Sequence, residues 1–282
     1  MAEKLALKKD ESLKRQALIE IYRRCQVNGE FEFDNNLVKE VCKEIGFGNP
    51  FDATKIDRRE VLPLELIEKD IAVIHVGKGK HRFVKGLHIV FHEFEPIKRE
   101  VDWTYKKSLL NEYNSSEANV LSVANNQRIL HSFTFGQDRE FEDVDITKRP
   151  KTYFPHRTKA DLRYNFDVFG EVKLKGIQIE IDLTIEFDGI IAVFEAKNGK
   201  PDNFSVYQIY HPFLYYHEVR QKVAMKDKVK DIICVYVVRQ KFVEKTTLKL
   251  WKYTFAEPYN LASIKFIDSA CYNLVGEVGE QP

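Results

Sequence analysis

Two periods divide this chain. Over the first 70 residues, apolar side chains recur at helical spacing. Leu13, Ala17, Leu18, Ile21 and Tyr22 share one face of a predicted helix over 12–26, which Asn28-Gly29 ends. Leu37, Val38, Val41 and Ile45 form a second stripe, with Asn35-Asn36 placed to cap it and Gly46 and Gly48 to stop it. A further helix is predicted over 60–69, with Pro63 near its first turn, where proline is tolerated. The period then drops to two. Ile71–Val76 predicts a strand, Gly77-Lys78-Gly79-Lys80 a turn, and His81–Val84 the returning strand. Residues 87–114 read as a connector with strand character at Leu87–Phe91 and an aromatic pair, Trp103 and Tyr105. Ser115 or Ser116 caps a helix that runs to His131. Residues 136–163 are polar, carry Arg149-Pro150 and Phe154-Pro155, and are expected to be surface loops, with Glu171 in a bend after them.

The clearest pattern spans 177–197. Ile177, Ile179, Ile181, Leu183 and Ile185 face one way, and Gln178, Glu180, Asp182, Thr184 and Glu186 the other. After Asp188-Gly189, a strong two-residue hairpin signal, comes a nearly continuous apolar run up to Glu195-Ala196-Lys197. A two-residue loop sets Asp182 opposite Glu195 and Glu180 opposite Lys197. Downstream, Ile232–Val238 predicts a buried strand and Leu248–Phe255 another, so an α/β fold with a mixed sheet is expected.

Composition narrows the classes. With 44% hydrophobic and 31% charged residues the chain is an ordinary globular protein. No run of ~18 apolar residues is present, so no membrane span is expected, and Met1–Leu5 lacks the features of a signal peptide. The four scattered cysteines predict reduced thiols in a cytoplasmic protein, with no zinc site. No Walker loop or dinucleotide fingerprint appears, so no nucleotide cofactor is expected. The net charge is +1, so bulk electrostatics points to no polyanion and any nucleic-acid contact must be local.

Local chemistry supplies two such candidates. Helices followed by a hairpin with a basic tip are the pattern of a winged helix, in which Lys78, Lys80 and Arg82 would meet DNA phosphates. His156-Arg157, with Lys159 and Arg163, forms a second basic cluster. The hairpin register yields the catalytic candidate. Two carboxylates opposed across strands either share a proton or bind a cation. Mg²⁺ takes one or two carboxylates together with waters and phosphate oxygens. Asp182 and Glu195 are therefore expected to hold Mg²⁺. Lys197 would orient or deprotonate a water or neutralise charge on a phosphodiester, with Glu180 pairing Lys197 and tuning it.

Asp182, Glu195-Ala196-Lys197 and the residues around them resemble the core of the PD-(D/E)XK nuclease superfamily, in the form found in type II restriction endonucleases. The resemblance implies a restriction-endonuclease-like mixed sheet and Mg²⁺-dependent hydrolysis of double-stranded DNA by a homodimer. It adds the Ala196 carbonyl as a metal ligand and an acidic residue from an earlier helix, for which Glu117 is the candidate. It also implies a helix after the third core strand, here Phe204–Arg220, carrying Gln208. The N-terminal part resembles the winged-helix domain of restriction endonucleases of the SdaI type. This gives two expected domains, 1–95 for DNA binding and 96–282 for cleavage. A repair or recombination nuclease of the same fold, and a non-catalytic winged-helix regulator, remain alternatives.

Overall fold

The computed structural model describes residues 2–105, 108, 116–136, 145–166, 170–222, 224–242 and 245–276. The protein is mixed α/β. The N-terminal part contains α1 (Ala2–Asn28), β1 (Glu32–Asp34), α2 (Asn35–Ile45), α3 (Pro50–Ala53), α4 (Leu64–Glu68), β2 (Ile71–Gly77) and β3 (Lys80–Lys85). Asp34, one residue before the expected caps, accepts from the backbone N–H groups of Asn36 and Leu37 and starts α2. Gly46, in the left-handed region, ends it. Pro63 caps α4, at the edge of its first turn. The three strands form an antiparallel sheet in the order β1-β3-β2.

Leu87–Val90 is a single helical turn, α5, not the expected strand, and β4 (Phe91–Glu93) follows. Then come β5 (Arg99–Tyr105), α6 (Glu117–Asn126) and α7 (Ile129–Phe135). The one helix expected to reach His131 is thus two, broken at Arg128, whose φ is 64°. Ser116 Oγ accepts from Asn119 N and caps α6; Ser115 lies outside the described residues. The expected loops of 136–163 hold two strands among their described residues, β6 (Lys151–Tyr153) and β7 (His156–Asn165). Glu171 does not lie in a bend; it opens β8 (Glu171–Ile181). The remainder is β9 (Leu183–Phe187), β10 (Ile190–Asn198), β11 (Asn203–Ser205), α8 (Tyr207–Arg220), β12 (Asp231–Lys241), β13 (Thr246–Phe255) and β14 (Ile264–Gly276).

A seven-stranded mixed sheet, β5-β14-β13-β12-β10-β9-β6, organises the second part. β10 runs parallel to β12, and β14 runs parallel to β5; the other pairs are antiparallel. Ala192, Phe194 and Ala196 pack beneath α6 and α7 with Val120, Leu121 and Leu130. Ile191 and Val193 pack towards α8, with Ile209 and Phe213. Helices on both faces explain why β12 is buried from Ile232 to Gln240 and reads as an apolar run from Ile232 to Val238. Pro212 sits inside α8. No helix of the described residues is long and apolar enough to cross a membrane.

The two parts share one buried cluster that reaches from Leu18 and Ile74 to Tyr210. β4, within the span assigned to the first domain, pairs with β11 of the second. The β2–β3 turn also packs against β8. Gly77 adopts φ +90°, and a Cβ there would run into the Lys175 carbonyl. Gly77→Ala combines that collision with a strained backbone and is expected to cost about 2–3 kcal/mol of stability, read from urea denaturation.

Candidate active site

The hairpin β9–β10 turns through Asp188 and Gly189, with φ of 47° and 78°. Positive φ at both positions is the geometry that a two-residue turn between twisted strands requires. Pairing then runs from Phe187↔Ile190 to Leu183↔Phe194, the register that the loop dictates. The ladder stops there. Ile177, Ile179 and Ile181 bury towards α8, while Leu183 and Ile185 bury towards α6 and α7. Residues of one parity thus go to opposite sides of the sheet, so the chain must bend between them, and Asp182 is the bend. β8 leaves the main sheet and pairs with β7, His156 opposing Ile181.

Asp182 still reaches β10. Its Oδ2 accepts from the Ala196 backbone N–H at 3.2 Å. Along an extended strand the N–H and C=O of one residue leave on the same edge, so the Ala196 carbonyl also points to the side of Asp182. The Asp182 and Glu195 carboxyls lie near enough to perturb one another's ionisation. Lys197 Nζ lies 2.8 Å from Glu117 Oε1 and 2.9 Å from Glu195 Oε1. Gln208 of α8 donates from Nε2 to Glu195 Oε1 at 2.8 Å, and its own Oε1 accepts from the Tyr236 hydroxyl at 3.2 Å. Tyr236, on β12, thereby fixes which way the amide faces. Arg239 bonds both Asn198 at the end of β10 and Asn119 in the first turn of α6, which holds the helix that carries Glu117 against the strand that carries Lys197.

Three carboxyls and one ammonium meet at a site that is dry around Glu195 and open to solvent at Glu117. Glu195 is 9% exposed. Burial, with the neighbouring Asp182, pushes its carboxyl up to about 8 against the pull of Lys197. Burial raises Asp182 as well, opposed by the Ala196 N–H and by Lys197. Burial alone would lower Lys197, but Glu195 and Glu117 outweigh it and hold the amine above the ordinary lysine range. Lys197 is therefore a firm cation that can orient a water or stabilise negative charge.

The donor set suits a hard divalent cation. Asp182, Glu195 and the Ala196 carbonyl offer oxygens only, and a cation would take the role of the proton that the buried acids otherwise retain. Among the described residues no three His, Cys, Asp or Glu side chains are arranged to hold a metal by themselves, so an ion here would complete its shell with the carbonyl and water.

The other expected residues fall differently. Glu180 does not meet Lys197. The bend at Asp182 carries it onto β8, where it pairs with Arg157 at 3.0 Å and accepts from Gln178. Lys80 and Arg82 both pair with Glu32 of β1, at 3.0 and 2.7 Å, so the hairpin offers less free positive charge than the sequence implied. Lys78 is exposed at the turn. His156 begins β7 beside Asp182, its Nδ1 3.4 Å from the Phe154 carbonyl. Tyr236 and Arg239 had no role in the sequence reading. Their signal was a hydroxyl and a guanidinium inside a strand otherwise suited to burial.

No curated protein and no solved structure matches this chain. Two family models do. Residues 13–83 match a domain of unknown function, DUF6996. Residues 87–273 match a second domain of unknown function, DUF6997, a span that contains Glu117, Asp182, Glu195, Lys197, Gln208 and Tyr236. That match covers well over half the sequence, and the chain belongs to the DUF6997 family.

Proposed function

We propose that this protein is a Mg²⁺-dependent nuclease that hydrolyses phosphodiesters of double-stranded DNA, with a restriction-endonuclease-like core and type II, sequence-specific action. The observation that carries the reading is the acid pair of half-buried Asp182 and buried Glu195, with Lys197 beside it. Asp182, Glu195 and the Ala196 carbonyl would hold the ion. Once bound, it supplies a water of lowered pKa and a clamp on the scissile phosphate. Lys197 offsets negative charge as it grows on the phosphoryl oxygens. Glu117 and Glu195 fix the ammonium in place, and Gln208 fixes Glu195. In this reading the N-terminal helices and β2–β3 hairpin act as a winged helix that places DNA, with Lys78 at its tip and His156 and Arg157 beside the carboxylates. Cutting both strands of a symmetric site calls for two such centres, hence a homodimer.

Incubation of plasmid DNA with the protein and Mg²⁺ tests this directly. Discrete bands on a gel are expected. A smear would favour a nuclease that reads DNA structure instead, and intact plasmid under every divalent ion would overturn the catalytic reading. Tyr236→Phe provides a finer check. Without the hydroxyl, the Gln208 amide is free to flip and leave Glu195 unheld. Cleavage should fall about tenfold with little change in melting temperature, in line with the loss of other ligand-orienting partners.

A further inference from the structure

A cavity of about 580 Å³ opens on the α8 face of the main sheet, within the ~300–1,000 Å³ range of ligand sites. Tyr153, Phe154, His156, Thr184, Glu186 and Tyr216 contribute to its lining. Two routes connect it to the acid pair. Thr184 stands two residues beyond Asp182, at most about 7 Å along the chain. His156 is the register partner of Ile181, the residue before Asp182.

Its lining suits a flat ring with polar edges. Tyr153 and Phe154 are 47% and 81% exposed, so two large aromatic side chains face solvent at this cavity. Nucleobases of any sequence stack on such faces. The Thr184 and Tyr216 hydroxyls lie 3.2 Å apart, and the Glu186 carboxylate accepts from the Tyr153 hydroxyl, so donors and acceptors are present for the edge of a ring.

We propose that this cavity receives one unstacked nucleobase from the DNA strand whose phosphate lies at Asp182 and Glu195. The inference rests on the nuclease reading and narrows its substrate to DNA in which a base is extruded or already unpaired. Extraction of a paired base costs free energy that an unpaired base does not, so the protein should prefer the latter.

The test uses the full chain in EDTA, which prevents cleavage, and fluorescence anisotropy of two labelled duplexes. One carries a single unpaired 2-aminopurine and the other is fully paired. The bulged duplex should bind about tenfold more tightly. The double variant Tyr153→Ala, Phe154→Ala should bring the ratio close to one while paired-duplex affinity and melting temperature hold, since both side chains are exposed. Equal affinities in the unaltered protein, or a preference that survives in the double variant, would overturn the proposal. If plasmid is cut yet no preference exists, the cavity assignment fails and the nuclease reading stands. If the preference exists and vanishes in the double variant while no divalent ion supports cleavage, the nuclease reading fails and the base site stands.

Discussion

Lys197→Ala should lower Mg²⁺-dependent DNA cleavage by about 10³-fold, and Asp182→Ala by at least as much, while gel-shift binding stays measurable. The lysine is the cation that Glu117 and Glu195 grip at 2.8 and 2.9 Å. Its truncation leaves buried carboxyls facing one another without that counter-charge and removes the group placed to meet charge on the phosphate. Asp182→Ala removes one of the two acidic ligands and the acceptor of the Ala196 N–H. Lys197→Arg keeps the charge but not the compact shape, so a partial loss is expected. Undiminished cleavage by either alanine variant would end the assignment.

The metal-free protein should lose stability as pH rises from about 4.5 through about 8, and Glu195→Gln should remove much of that slope. Glu195 holds its proton in the folded state up to about 8, against an ordinary value of 4.5. Between those values the unfolded chain has released a proton that the folded chain keeps. Rising pH therefore favours the unfolded state, the penalty is complete above about 8, and it is absent below about 4.5. Between pH 5 and pH 9 the glutamine variant should therefore gain stability relative to the unaltered protein. Urea denaturation at pH 5, 7 and 9 in EDTA measures the difference between the two proteins, in which titration elsewhere cancels. Mg²⁺ at pH 8.5 should raise the melting temperature of the unaltered protein more than that of the variant. Equal slopes with pH would show that Glu195 is ionised in the fold.

Much of this site could be read from residue order. Asp188-Gly189 signals its turn locally, because few dipeptides accept positive φ twice, and the turn then sets the register of every pair down to Leu183 and Phe194. Lys197 beside Glu195, and Glu117 at the head of a helix, also follow from strand and cap patterns. The sequence misled where tertiary packing overrode alternation. Ile177–Ile185 looks like one strand, but its isoleucines and leucine serve two separate cores, and nothing local marks Asp182 as the hinge between them. That hinge is why Glu180 meets Arg157 instead of Lys197. β7 was missed because its exposed positions are polar and its buried ones few, with a partner, β8, that pairs outside the main sheet. The Tyr236–Gln208–Glu195 relay joins side chains 28 and 13 residues apart and is visible only in three dimensions.

The parallel pairing of β5 with β14 has a kinetic side. Arg99 meets Ala270, so a segment translated early finds its neighbour only after β14, about 170 residues later, has left the ribosome. Closure over so long a loop is slow, and until it happens both edges of β5, not just its outer one, lack a strand partner in the sheet. Refolding from denaturant should accordingly show late protection of the β5 amides, well after those of the β9–β10 hairpin.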